Sequence, residues 1–84
     1  MFILTEKNSG GVYAVSDTID GQKMVQCFEL EDDALRYHDL LIADDYPTKL
    51  EIVEVEPEIV AINCKNYGYK YTIISPNDFV IPPS

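Results

Sequence analysis

His38 is the chain's only histidine, so a proton relay near neutral pH through an unperturbed side chain would have to use it. It sits beside Tyr37 in a helical stretch, and triad-type chemistry needs a nucleophile, a base and an orienting group together. The sequence places no nucleophile for it, so His38 reads as a partly exposed helix residue. Cys27 and Cys64 form no C-x-x-C pair and have no neighbouring cation in sequence to lower their pKa, so they read as buried, reduced thiols. Among 15 acidic residues some carboxylates must fall close together, and proximity alone does not argue for glycosidase-type acid–base work. These residues predict a protein that is not an enzyme.

The remaining constellations are equally bare. Asp17-Thr18-Ile19-Asp20-Gly21 lacks the alternating ligands and closing bidentate glutamate of a calcium loop, and reads as an Asp-Gly hairpin turn. Asp44, Asp45 and Glu51 would hold a divalent ion only weakly, as hydrated carboxylates do. Gly10-Gly11 precedes a strand, so no helix dipole points from it at a phosphate. Tyr69 and Tyr71 share a strand face, but a base-stacking platform needs a cationic groove beside its aromatics. Core and sheet-surface packing is the expected task of the tyrosines. The expectation is no cofactor, no metal site and no nucleic-acid partner.

What stands out is charge and where it lies. The formal net charge is −9. Residues 1–28 carry Lys7 and Lys23 against Glu6, Asp17 and Asp20, while residues 59–84 carry Lys65 and Lys70 against Asp78. Residues 29–58 hold eleven acids against Arg36 and Lys49, a net of −9, so the middle of the chain accounts for the whole charge. Such a field repels phosphates and anionic lipid and attracts basic surfaces.

The elements that must position this charge follow from periodicity and turn chemistry. Phe2–Thr5, Val12–Ser16 and Met24–Phe28 read as three strands joined by hairpins. A helix begins at Glu31-Asp32-Asp33, where carboxylates favour the positive end of the dipole. Leu30, Ala34, Tyr37 and Leu41 form its inner stripe, Asp32, Arg36 and Asp39 lie opposite, and Leu35 and Ile42 widen the apolar arc on one flank. Asp44 and Asp45 close it at the electrostatically unfavourable end, and Pro47 stops it. Leu50–Val55 is a strand with one polar face. Pro57 opens a second helix with Val60, Cys64 and Tyr67 inward, Gly68 ends it, and Tyr69–Ser75 is the last strand. The order β-β-β-α-β-α-β predicts an α+β fold: a mixed five-stranded sheet, a relative of the ferredoxin-like plan. Both helices are expected on one face if the two crossovers step the same way. Residues 1–84 read as one domain with a tail at 76–84, its Phe79-Val80-Ile81 able to cover Leu35 and Ile42. No stretch reaches the roughly 20 apolar residues of a membrane span, and the start lacks the features of a secretory signal, so a cytoplasmic location is expected.

The strings Glu31-Asp32-Asp33-Ala34-Leu35-Arg36-Tyr37 and Tyr46-Pro47-Thr48, with Cys64 and Gly68-Tyr69, give a further reading. Over about residues 24–75 the chain resembles a family of small uncharacterised proteins of cyanobacteria and plastid lineages, known as a domain of unknown function. It departs from that pattern at Ile62-Asn63, where a Phe before the cysteine and more acids are usual. The resemblance implies no catalytic residues. Low alanine and arginine with abundant isoleucine would suit an AT-rich marine cyanobacterium or one of its phages.

The function expected from all this is a non-enzymatic protein-interaction or regulatory module. Its acidic helix face, with Glu31, Asp32, Asp33, Leu35, Arg36, Asp39, Ile42, Asp44 and Asp45, would meet a basic protein surface. Two further expectations are an inhibitor that mimics nucleic-acid charge, and a small-ligand-sensing homodimer built on Leu35 and Ile42.

Overall fold

The computed structural model describes residues 1–78 and Pro82. Strands β1 (Phe2–Glu6), β2 (Ala14–Ser16) and β3 (Lys23–Phe28) precede helix α1 (Glu31–Ala43). Strand β4 (Leu50–Glu54), helix α2 (Pro57–Tyr67) and strand β5 (Lys70–Ile74) follow, giving the expected order and an α+β fold with a mixed five-stranded sheet. β1 lies antiparallel between β4 and β3, and β5 runs parallel to β3 on its far side, with Tyr71 beside Val25 and Ile73 beside Cys27. No helix among the described residues is long and apolar enough to cross a membrane.

β2 is shorter than its β-formers predict, because the chain changes partner within the segment. Val12 bridges Thr5, and the Tyr13 N–H donates to the Leu4 carbonyl at 2.9 Å. From Ala14 onward the partner is β3. The segment is therefore wedged between β1 and β3 over part of their length, while Phe2 and Phe28 pair directly beyond it.

The two helices do not share a face, contrary to the sequence expectation. One cluster joins Leu4, Phe28, Leu50 and Ile74 to Ala34, Tyr37 and Leu41 of α1. The other joins Ile3, Val25 and Cys27 to Val60 and Cys64 of α2. Ile3 and Leu4 are adjacent in β1, and alternate strand residues point to opposite faces, so the clusters lie on opposite sides of the sheet. Topology supplies the reason. The β3-α1-β4 crossover steps past β1 in one direction, and β4-α2-β5 steps back past β1 and β3. Crossovers of one hand that step in opposite directions put their helices on opposite faces.

The helix ends follow local rules. α2 begins with Pro57 and ends at Gly68 with φ 72°, where the Tyr69 N–H returns to the Cys64 carbonyl at 2.8 Å. At the end of α1, Asp45 takes φ 59°. Its N–H reaches the Ile42 carbonyl and that of Tyr46 reaches Leu41, both at 3.0 Å, which is a Schellman closure with aspartate where glycine is usual. Of the expected tail, Ser75 donates twice to Asp78 Oδ2 at 3.0 Å. Phe79, Val80 and Ile81 lie outside the described residues, and with them the expectation that they cover Leu35 and Ile42.

Candidate functional site

Burying Ala34, Tyr37 and Leu41 fixes the rotation of α1, and with it the face shown outward. Asp32, Leu35, Asp39 and Ile42 recur at spacings of three, four and three, so they form one ridge in which acid and apolar side chains alternate. All four are exposed, Leu35 to 44% and Ile42 to 59%. Arg36 lies beside the ridge, also exposed, and Glu31 is exposed at its start.

Other expected members fall elsewhere. Asp33 turns toward the protein, its side chain only 12% exposed, with Oδ1 3.6 Å from Arg36 and Oδ2 without a hydrogen-bond partner among the described residues. Asp44 is the exposed C-cap, and Asp45 owes its position to the left-handed closure. Asp45 thus has a local structural account: a short polar side chain tolerates αL better than a bulky one does.

The topology also sorts charge along the strands. β3 and β4 both run antiparallel to β1, and β5 parallels β3, so all three end at the same edge of the molecule, where both helices begin. That end gathers Glu29, Glu31, Asp32 and Asp33 from α1's start with Glu54, Glu56 and Glu58 from α2's start. The opposite end receives all five lysines: Lys7, Lys23, Lys49, Lys65 and Lys70. The molecule is strongly acidic at one pole and close to balanced at the other.

An open groove of about 390 Å³ adjoins the C-terminal end of the ridge, with His38, Ile42, Tyr46, Lys7 and Lys49 on its walls. The Lys7 N–H donates to the Lys49 carbonyl at 3.1 Å, which ties the two lysine-bearing loops together. Both thiols pack in the α2-side core. Burial pushes the Cys27 thiol up to about 11, and burial also raises Cys64, so both are held protonated and poor as nucleophiles. Among the described residues no three His, Cys, Asp or Glu side chains are grouped to hold a metal ion.

Tyr13, Tyr37 and Tyr46 pack as expected of tyrosines. Ring centroids lie 5.8 Å apart for Tyr13–Tyr37 and 5.5 Å for Tyr13–Tyr46, and the Tyr13 and Tyr37 hydroxyls share a buried hydrogen bond of 3.1 Å. Tyr67 is different: expected in α2's inner stripe, it is 77% exposed. It is the last residue of α2 and overhangs an open groove beside the β1–β2 loop, where nothing among the described residues packs beneath it. Tyr69, Tyr71 and Ile73, on the sheet face that α2 covers, are also exposed. The strict alternation of β5 was the available signal for this second apolar surface. Its exposure follows from α2 being, among the described residues, the one helix on that side.

A family model described as Domain of unknown function (DUF3110) matches residues 1–84. No curated protein and no solved structure matches the chain.

Proposed function

Since the chain belongs to this domain-of-unknown-function family, whose description names no activity, we propose from its geometry that it is a non-enzymatic interaction module. The outer ridge of α1 docks on a basic protein surface. The observation that carries this reading is the alternation of exposed Asp32 and Asp39 with exposed Leu35 and Ile42 on one ridge. Apolar contact supplies affinity at the core of an interface, and the flanking charges supply steering and register. The same alternation favours a protein partner over the mimicry of nucleic-acid charge, which calls for an unbroken acidic track. A cytoplasmic setting, in a cyanobacterium or one of its phages as the sequence resemblance implies, belongs to this proposal.

Affinity capture from the source cell tests it. Asp39→Lys with Leu35→Ser alters two exposed positions outside the buried core and away from the helix N-terminus, so the circular dichroism spectrum should be unchanged and melting should shift by only a few degrees. Capture of a basic partner should fall at least about tenfold, the equivalent of losing one good interfacial contact. Recovery of the same proteins at the same yield by this variant would refute the reading.

A further inference from the structure

Among the described residues the sheet has two edge strands with opposite treatment. β4 carries Glu51 and Glu54, both exposed, and charge on an edge strand discourages another strand from pairing there. β5 presents Tyr71, Thr72 and Ile73, and its one charged side chain, Lys70, is engaged by Asp17 and Asp20 of the β2–β3 turn. Tyr71 and Ile73 are each 46% exposed. The edge that charge leaves open is also the apolar one.

The backbone of β5 defines how that edge can be used. The Ile74 carbonyl accepts from the Glu29 N–H at 3.0 Å, so Ile74, and by alternation Thr72 and Lys70, turn their polar backbone groups toward β3. The N–H and C=O of Tyr71 and Ile73 therefore point away from the sheet. Two such strands placed antiparallel about a twofold axis at Thr72 set Tyr71 opposite Ile73 twice. Both pairs then exchange their outward N–H and C=O groups, and an aromatic side chain meets a β-branched one on the same face.

The helix above this edge fits the same axis. Asn63 and Tyr67 of α2 share a groove with Gly10, Gly11 and Val12, so that flank of the helix turns toward the β1–β2 loop. On the other flank Ala61 is half-buried, with Glu58 and Lys65 exposed beyond it on the side away from that loop. A twofold that runs two copies of α2 antiparallel brings Glu58 of each toward Lys65 of the other, with the small Ala61 side chains between. Among the described residues this surface carries Lys65 and Lys70 against Glu58, Asp17 and Asp20, close to balance in a chain of net charge −9, so two copies can meet there with little repulsion.

We infer that a second copy of this chain occupies the β5 edge, forming an isologous dimer with one continuous sheet across the axis. Both acidic α1 ridges then lie on one face of that sheet and both α2 helices on the other. The inference does not rest on the proposed function, and monomers could still bind a partner one to one.

Sedimentation equilibrium of the full chain over a wide concentration range tests it. The wild type should dimerise, while Ile73→Lys should remain monomeric at concentrations where the wild type is mostly dimer. Glu58→Lys, on the exposed surface of α2, should raise the dimer Kd about tenfold or more although it makes the chain less acidic. Adding Lys65→Glu should return the Kd to within about threefold of wild type, a rescue that a merely structural effect would not give. A wild type that is monomeric throughout, or a dimer insensitive to all these changes, would overturn the inference. So would a monomer that dimerises only once residues 79–84 are removed, since the chain's own C-terminal segment would then be the occupant of the edge.

Discussion

Asp45 shows how one residue can carry two readings that only its dihedral angle separates. By charge it sits at the wrong end of α1, and in sequence it looks selected for recognition. At φ 59° it completes a helix closure that glycine would complete with less strain. Asp45→Gly should raise stability by about 0.5–1 kcal/mol, through relief of the αL conformation and removal of a carboxylate from the negative end of the dipole. In thermal melts that is a gain of several degrees for a domain of this size, with partner capture unchanged. The buried tyrosine pair behaves differently. Tyr37→Phe leaves the Tyr13 hydroxyl without its protein partner, a cost of about 1–2 kcal/mol measurable by urea unfolding. Burial holds both phenols above the usual tyrosine value. Below about pH 10 folded and unfolded chains both keep these protons; above it the unfolded chain ionises first, so stability falls as pH rises. The thiols follow the same sign from a lower start. Burial pushes the Cys27 thiol from its ordinary value of 9.0 up to about 11, so its share of alkaline destabilisation falls between the two. At pH 8 both should resist a thiol reagent in the native protein and react after denaturation; rapid native labelling of either would show that its burial is wrongly assigned.

At the scale of elements, α1 and α2 are closed by the same backbone device with different residues. Gly68 at φ 72° has no neighbouring atom to obstruct a Cβ, so Gly68→Ala isolates the conformational cost at about 1 kcal/mol. A loss much above 2 kcal/mol in equilibrium unfolding would point to packing not accounted for by that turn. The ends of both helices and the strand order were legible in the sequence, because capping chemistry and alternation act between residues a few positions apart. Tyr67 departs from its sequence expectation for a related reason. Helical periodicity gives the angle at which a side chain leaves the axis, but not whether another element lies beneath it. Likewise the ridge Asp32-Leu35-Asp39-Ile42 was visible in sequence only as a polar face beside an apolar flank. The burial of Tyr37 and Leu41 against β1, β3 and β4 settled which side faces out.

Across the whole molecule, seven of the eleven acids of segment 29–58 gather into an acidic pole because the strands β3, β4 and β5 end together. Association through that pole should weaken steeply with salt, since exposed charges more than about 10 Å apart are screened at 0.1 M ionic strength. Capture that survives unchanged at high salt would assign the contact to Leu35 and Ile42 alone. The sequence by itself determined the elements, their order, the Pro57 start and Gly68 end of α2, and the confinement of charge to one stretch, all consequences of local stereochemistry and composition. The tertiary structure decided that the helices lie on opposite faces, through two crossovers that step in opposite directions past β1. It also turned Asp33 inward and collected the lysines at one end, because each depends on which distant strands become neighbours.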